Sequence, residues 1–575
     1  MLRKVTLEES YWTRNTEPDM LETTLGDLLR ALACEVPERV ALLEANPEGT
    51  RRQWTYLALL NSAERTAQAL LSLFNPGERI AIWSPNSAEW ILLQHGAAMA
   101  GLVLVTVNPA YQADELKFVL AASQATGVVH AGEYRGTNMG AVVEGIRGSL
   151  PLLRESLSLS ELGDLVVATQ QEAPEPLPVV QPGDMIQIQF TSGTTGKPKG
   201  ACLHHRGVVN AARFAARRAG FAIGGTWASA MPLFHVGGCA GSELGAMSAR
   251  GTFVLQTAFD AGGMLEAIER EGVNHLHAVP TMLVAMLEHP RVGSTDLSSL
   301  KTVMSGGSPV PASLVQRIRE TFGCKFTITF GQTELNGVIC QTHPDDSPDL
   351  VATTIGQPAP HMEVKIADPS TGAIKPLGQP GEIWARGYQT MLGYFSGTQG
   401  SETVLSDDGW LRTGDQASMD GDGYLRITGR LKDCVIRGGE NIYPREVEDA
   451  LLAHPSVQQV AVVGVPDEKW GEAVTAVIRF KPGLTPPAAL DLHHHCRARL
   501  APYKTPSQWY YVDEYPTTSS GKIQKFALRT QIIKGELRAQ PFAKPKRLQS
   551  DAVQQSKEEQ QLETPGQMAA DGRPA

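Results

Sequence analysis

What this sequence lacks narrows its class before any motif is found. It has no C-x-x-C pair: Cys34, Cys202, Cys239, Cys324, Cys340, Cys434 and Cys496 lie far apart. Such spacing supports neither a zinc site nor a disulfide framework, and it suits a reducing compartment. It has no dominant lysine–arginine cluster, and its formal net charge is −10, so nucleic acid is not expected as a partner. No apolar run is suited to a bilayer. The longest, Ile91 to Val107, is interrupted by Gln94 and His95 and divides at Gly101, which reads as a buried helix followed by a buried strand. The opening Met1–Ser10 segment lacks the apolar region of a signal peptide and reads as a cytoplasmic terminus. No internal repeat is visible.

What is present is an ordinary globular composition at considerable length. The 575 residues, 42% hydrophobic and 19% charged, suffice for two or three domains with large cores. From Thr55 to about Val129, helical patterns alternate with short apolar runs such as the β-branched Val103–Val107. Leu116, Val119 and Leu120 fall at helical spacing after Asp114, which reads as an N-cap. This alternation predicts βα units and a largely parallel sheet. Gln171 to Gly183, rich in proline and glutamate, reads as a surface connection. Helices are expected near Gly263–Gly272 and Pro311–Phe322.

The texture changes between about Ile355 and Thr428. Short alternating runs, Met362–Ile366 and Glu382–Ala385, are punctuated by Asp-Pro, Gly-Gln-Pro-Gly and Asp-Gly, which predicts antiparallel hairpins in a small barrel or meander. After Gly429 a compact α+β unit of roughly a hundred residues is expected. Pro444 opens a helix that His454-Pro455 closes, Val460–Val465 and Ala473–Phe480 are strands, and Ala489–Leu500 is a second helix. From about Gln540 periodicity fades, which predicts a disordered tail.

Five segments carry chemistry. Phe190-Thr-Ser-Gly-Thr-Thr-Gly-Lys-Pro-Lys-Gly200 follows Met185–Phe190, whose alternation is that of a strand. Its glycines let backbone N–H groups converge on an anion, and its hydroxyls and lysines suit a polyphosphate. It is not a Walker A loop, because Pro198 follows Gly196-Lys197 where a Ser or Thr should ligate Mg²⁺. Phe330-Gly-Gln-Thr-Glu334 follows a strand-like run and could stack a base, bond a phosphate and hold Mg²⁺, though alone it equally suits a solvated strand end. Trp410-Leu-Arg-Thr-Gly-Asp415 offers Asp415 to two ribose hydroxyls, though alone it equally suits a hairpin turn. Gly429 to Glu448 is a long basic, glycine-rich segment at the inferred domain boundary. Pro516-Thr-Thr-Ser-Ser-Gly-Lys-Ile-Gln-Lys525 is a loop presenting Lys522.

Together and in this order, the five segments resemble the adenylate-forming (AMP-binding) superfamily of acyl-CoA synthetases, peptide-synthetase adenylation domains and luciferases. The resemblance covers roughly residues 20 to 535 and points most towards fatty acyl-CoA synthetases. It implies an α/β fold: a large N-terminal AMP-binding domain over residues 1–429, made of two α/β subdomains plus a β-barrel. A small mobile α+β domain would follow over 430–535, then the tail 536–575.

The resemblance also implies roles. Thr191, Ser192, Gly193, Thr194, Thr195, Gly196, Lys197, Lys199 and Gly200 would enclose the β- and γ-phosphates of ATP, with Thr194 and Glu334 on Mg²⁺. Ser305, Gly306, Gly307, Ser308 and Phe330 would flank adenine, Gly331 would join the ATP-binding set, and Thr333 would meet the α-phosphate. Asp415 and Arg430 would hold the ribose, Lys432 would be the hinge, and Lys522 the catalytic lysine. Gly438 and Gly439 would line the entry of the coenzyme A thiol. Phe330 stands where tyrosine is commoner in the family; stacking survives, and a phenolic hydrogen bond does not.

The acceptor and the acid are less constrained. Only about fifty residues follow Lys522, too few for a fused carrier domain, so coenzyme A is expected, with a free carrier protein as the alternative. Val107–Tyr111 and Pro232–Cys239 resemble segments of fatty acyl-CoA synthetases, which places His235 beside an acyl pocket for a medium- or long-chain fatty acid. An aryl or other acid is the alternative. A catalytically inert nucleotide-binding scaffold and a luciferase-like oxygenase are rivals, and retention of Thr194, Glu334, Asp415, Arg430 and Lys522 argues against the first. The run His493-His494-His495 tempts a metal reading. Consecutive helical residues diverge, however, and Ala489, Leu492, Cys496 and Leu500 already define the buried face, so a solvated helix is expected.

Overall fold

The structure is a computed structural model, and it describes residues 5–46, 51–169, 175–191, 198–395, 404–517 and 522–541. The chain forms two compact units. The first comprises Met1–Asp433 with Pro516–Gln524, and the second Cys434–Tyr515 with Lys525–Ala575.

The first unit is built on three large sheets, beside the two-stranded hairpin Glu133–Tyr134 and Thr137–Asn138. One has seven strands, in the order Gly393–Tyr394, Lys199–His204, Met185–Thr191, Val103–Val107, Arg79–Trp83, Gly127–His130 and Glu155–Ser158. The strands from Met185–Thr191 onward are parallel, and the first two are antiparallel. A nine-stranded sheet carries, at its parallel centre, Lys325–Phe330, Thr302–Gly306, His275–His277, Thr226–Ser229, Thr252–Gln256 and Val40–Ala45. Helices Leu25–Glu35, Tyr56–Leu71, Ala88–Met99 and His205–Arg218 share one apolar cluster with strands of both sheets, including Ile80, Leu104, Leu42 and Phe253.

The run Ile91 to Val107 splits as its sequence predicts. The helix ends at Met99, Gly101 takes φ +66°, and the strand Val103–Val107 follows with every residue buried. The helix Ala113–Ala122 starts one residue before the expected cap. Gln112, not Asp114, is the N-cap, because Glu115 returns its carboxylate to Gln112 N at 2.9 Å and closes a capping box. The helices Ala261–Glu271 and Ala312–Phe322 lie where expected. Asp260 caps the first, and Gly272, at φ +60°, ends it.

The third sheet is antiparallel, in the order Tyr11–Trp12, Met362–Ala367, Gly381–Gly387, Leu411–Met419 and Leu425–Arg430. The unit changes at Asp433/Cys434, after the 3₁₀ turn Leu431–Asp433, so Arg430 and Lys432 belong to the first unit. No helix among the described residues is long and apolar enough to cross a membrane.

The second unit pairs Val457–Asp467 with Gly471–Phe480 in a long hairpin. Val435–Arg437, Glu440–Ile442 and the parallel strand Gln508–Tyr511 extend the sheet. Its helices are Pro444–Leu452, Ala489–Arg497 and Lys525–Ile533. The helix expected to reach Leu500 ends at Arg497, and Leu500 N then bonds Cys496 O at 2.8 Å in a closing turn. His493 on that helix is buried at 6% exposure, contrary to a fully solvated polar face. The core stripe of Leu492 and Cys496 is wide enough to take it in. Residues 542–575, and with them most of the expected tail, lie outside the described residues.

Candidate active site

Thr191 ends the strand Met185–Thr191, and the chain returns as Lys199–His204 with Thr191 opposite Lys199. The expected contacts of Ser192, Gly193, Thr194, Thr195, Gly196 and Lys197 lie outside the described residues. Gly200 is required by packing, since a Cβ there would meet Ile188 Cγ2 at 2.7 Å. Tyr394 joins this edge because the short strand Gly393–Tyr394 pairs with Ala201 and Cys202. Lys199 Nζ lies 5.0 Å over the Tyr394 ring centroid, a cation–π contact.

Glu334 stands on the 3₁₀ turn Thr333–Leu335, immediately past the strand Lys325–Phe330, and is buried together with Thr333. Its Oε1 accepts from Tyr394 Oη at 2.8 Å and from Thr191 Oγ1 at 3.4 Å. Met391 N donates to Glu334 O at 2.9 Å, and Asn336, at φ +53°, ends the turn and donates to Gln389 O at 2.7 Å. Both hydroxyls use Oε1, so Oε2 makes no hydrogen bond among the described residues. A buried carboxylate with one open oxygen fits a hard cation such as Mg²⁺. Burial beside this carboxylate pushes the Tyr394 phenol well above its ordinary range.

Asp415 and Arg430 face each other across the antiparallel pair Leu411–Met419 and Leu425–Arg430. Arg430 Nε donates to Asp415 Oδ1 at 2.7 Å. The turn before Asp415 is held from both sides: Asp415 N donates to Thr413 Oγ1 at 3.1 Å, and Gly414 N donates to Glu382 Oε1 at 2.9 Å. Burial pushes the Asp415 carboxyl up, and Arg430 opposes that rise. Asp415 in turn raises the Arg430 guanidinium. The result is an oriented acceptor suited to vicinal hydroxyls.

Two glycines of the expected ATP-binding set are forced by backbone crowding. A Cβ on Gly306 would lie 2.1 Å from Thr329 O on the neighbouring strand, and one on Gly331 would lie 2.2 Å from Gly337 O. Gly307 follows at φ +74°. Phe330 is half-buried and packs against the main apolar cluster.

The segment Pro516–Gln524 belongs to this unit. Gln524 N bonds Pro516 O at 2.8 Å, and Thr517 pairs with Ile523. Lys522 Cε lies 3.7 Å from the position a Cβ on Gly307 would occupy. Burial lowers the Lys522 amine, Arg430 lowers it further, and Asp415 and Glu334 pull it back up. Arg430, Asp415 and Glu334 are therefore each within electrostatic range of Lys522.

His235 lies on the same side. Its Nδ1 accepts from Gly237 N at 3.1 Å. Burial pushes its pKa down to about 3, with Lys522 and then His277 adding to the fall. The neutral ring is followed directly by a π-helix, Gly237–Leu244.

Lys432 is exposed on the turn Leu431–Asp433. Gly438 and Gly439 belong to the second unit, between Val435–Arg437 and Glu440–Ile442, at φ +62° and +88°.

Sequence reasoning missed Tyr394 and a buried polar chain behind the site. Gln187 and Gln189 read as the polar side of a strand, yet both are 2% exposed. Gln189 Nε2 donates to Gln187 Oε1 at 2.9 Å, Gln187 Nε2 to Gln94 Oε1 at 2.7 Å, and Gln94 Nε2 to Glu243 Oε2 at 3.2 Å. His95 Nε2 lies 3.0 Å from Glu243 Oε1. The interruption of an apolar run by Gln94 and His95 was the one available signal.

Comparison with known proteins gives the same family. The AMP-binding enzyme model matches residues 29–395, and the AMP-binding enzyme C-terminal domain model matches residues 446–522. YngI of Bacillus subtilis (strain 168), provisionally named an acyl-CoA synthetase, is 38% identical over 542 residues, 90% of this chain and 98% of its own. The mitochondrial medium-chain acyl-CoA ligase ACSF2 of Mus musculus is 36% identical over 91% of this chain and 90% of its own. A solved structure of the anthranilate CoA ligase AuaEII in complex with anthranoyl-AMP matches with a TM-score of 0.79. It is 27% identical and covers 89% of this chain and 97% of its own. The chain belongs to the AMP-binding enzyme family, and it is an enzyme of the adenylate-forming class.

Proposed function

We propose that the protein is an AMP-forming acyl-CoA synthetase that uses ATP to convert a carboxylic acid into an acyl-adenylate, then passes the acyl group to coenzyme A. One observation carries this reading: Lys522 lies against Gly307 and within electrostatic range of Asp415, Arg430 and Glu334, groups that only folding brings together.

In the first half-reaction a carboxylate attacks the α-phosphorus, an approach of like charges. Catalysis must place positive charge where the pentavalent centre and pyrophosphate gain negative charge. Lys522 takes that place between the substrate carboxylate and the α-phosphate. A unit charge pair at about 4 Å in an effective dielectric near 20 is worth about 4 kcal/mol. Realised in the transition state alone, that is about a thousandfold in rate.

Asp415, held by Arg430, takes the ribose hydroxyls, and Phe330, Gly306 and Gly307 flank adenine. Thr333 bonds the α-phosphate, while Thr191 and Lys199 flank the loop Ser192–Lys197 at the outer phosphates. Mg²⁺ on Glu334 and Thr194 would offset phosphate charge. In the second half-reaction the thiol must reach the carbonyl that Lys522 guards. Rotation of the chain about Lys432 exchanges one for the other, with Gly438 and Gly439 lining the thiol's path.

The acid we favour is a medium- or long-chain fatty acid. The likeness to ACSF2 supports it. An aryl acid is the second reading, favoured by the likeness to AuaEII.

The test is ATP–pyrophosphate exchange against straight-chain, branched and aromatic acids, followed by thioester formation with coenzyme A or a free carrier protein. Lys522→Ala should cost exchange about a thousandfold yet leave thioester formation from supplied acyl-adenylate largely intact. Equal loss of both steps would make the lysine structural. Lys432→Pro should show the reverse pattern, and a variant with normal thioesterification would count against the rotation.

A further inference from the structure

The wall that carries His235 continues into a helix of rare pitch, and a second histidine lies against it. The π-helix Gly237–Leu244 is fastened on one side by the glutamine chain: Gln189 Nε2 donates to Cys239 Sγ at 3.3 Å, and Glu243 accepts from Gln94. Such helices are uncommon and concentrate at functional sites. Elsewhere it meets His277, the last residue of the parallel strand His275–His277. Ser242 Oγ lies 2.8 Å from His277 Nδ1 and 2.9 Å from Gly237 O. A Cβ on Gly241 would lie 3.9 Å from His277 Cε1.

His275 and His277 point to the same face of their strand, yet their surroundings differ. His275 is packed into aromatics, with its ring centroid 4.0 Å from Trp227 and 5.8 Å from Phe221. His277 stands at the carboxyl end of its strand, the edge at which ligands bind in open parallel sheets. It is 5% exposed, Ser242 engages its Nδ1, and its Nε2 has no hydrogen-bond partner among the described residues. His277 pairs with Met304 on the neighbouring strand, which runs on to Gly306 and Gly307, and Lys522 Cε lies 3.7 Å from the position a Cβ on Gly307 would occupy.

Burial keeps the His277 ring neutral, with its pKa down at about 4. A neutral imidazole has one donor and one acceptor nitrogen. Ser242 occupies Nδ1 and leaves Nε2 to a ligand. A plain hydrocarbon chain against that nitrogen would bury it unpaired, which is unfavourable. Ser242 Oγ gives its one proton to Gly237 O and therefore accepts from His277 Nδ1–H, which leaves Nε2 as the acceptor. A hydroxyl satisfies that nitrogen, and an oxo group does not.

We propose that His277, positioned by Ser242, is a specificity-determining residue whose Nε2 accepts a hydrogen bond from a hydroxyl on the acyl chain. The enzyme then prefers a carboxylic acid bearing a hydroxyl group over the unsubstituted acid of equal length. This inference rests on the acyl-adenylate reading above.

The experiment is ATP–pyrophosphate exchange with sets of acids of one chain length: unsubstituted, hydroxylated at successive carbons, and oxo-substituted. Wild-type protein should favour at least one hydroxylated acid by about tenfold or more in kcat/KM. His277→Leu should abolish or invert that ratio with KM for ATP unchanged, His277→Gln should restore part of it, and Ser242→Ala should lower it severalfold. The oxo acids bring no proton to Nε2 and should be used no better than the unsubstituted acids; a preference for them overturns the assignment of Nε2 as acceptor. Each ratio is taken within one protein, so a partly folded variant still reports.

An unmoved ratio in His277→Leu, or equal use of all acids by the wild type, overturns the role of His277 and leaves the synthetase reading standing. Failure of every acid to support exchange overturns both.

Discussion

Two sets of histidines in this molecule behave in opposite ways. His493, His494 and His495 are consecutive, yet their side chains go three ways. His493 is buried and His494 is exposed, with ring centroids 6.1 Å apart, while His495 Nε2 bonds Ala450 O at 2.9 Å. A helix turns about 100° per residue, so neighbours in the chain diverge. His235, His275 and His277 come from a loop and a distant strand, yet two of them reach the same side of the site and the third fills the core behind. Adjacency along the chain says little about a site; the carboxyl edge of a parallel sheet says a great deal.

The contrast can be broken or sharpened by experiment. The largest effect is expected behind the dispersed set, where Glu243 is tied to His95 and Gln94. Glu243→Ala should destabilise the fold by about 3–5 kcal/mol, because it strips a partner from a fully buried pair, and Glu243→Gln should cost less. Chemical denaturation decides, and a loss below about 1 kcal/mol would mean that the polar chain has little structural weight.

Acid should act through the same set. Burial holds the pKa of His235 and His275 near 3 and that of His277 near 4. Each lies below its unfolded value, so the unfolded chain binds more protons once the pH falls below about 6.5. The stability from keeping these rings neutral is fully present above that pH and is lost as pH falls towards 4. The slope is about 1.4 kcal/mol per pH unit for each ring. His275→Phe removes one ring and should flatten the profile between pH 6 and 4 by that amount; an unchanged slope would show that the core histidine does not control it.

His235→Ala should lower kcat/KM for the acid by about tenfold, the worth of one hydrogen-bonding contact near 1.4 kcal/mol, with KM for ATP unchanged. Parallel changes in both would indicate a general disturbance instead. The smallest effect belongs to the consecutive set. His494→Ala should leave both exchange and stability within about 0.5 kcal/mol of wild type, and a larger loss would give the exposed ring a role that nothing in its surroundings suggests.

Local signals carried much of the fold. The split of Ile91–Val107, the strand Met185–Thr191, the helix opened by Pro444 and the hairpin texture after Ile355 were legible because each depends on periodicity and turn chemistry within a few residues. The cap at Gln112 was misread because Asp114 is the stronger N-cap residue, while the box that wins needs Glu115 to reach back. The burial of Gln187 and Gln189 was invisible, since alternation marks the two faces of a strand and does not say whether the polar face meets water or another buried amide.

The sequence by itself determined the chemical inventory and its order: a glycine–threonine loop after a strand, an aspartate after Thr413-Gly414, a lysine near the end, and no basic cluster or cysteine framework to suggest another class. Those properties are local and survive without a fold. The tertiary structure alone decided that Tyr394 and Thr191 share one oxygen of Glu334, that Lys522 comes within electrostatic reach of Asp415, and that Ser242 turns His277. Such contacts join residues far apart in the chain through strand register and the pitch of a π-helix, and no short window of sequence encodes either.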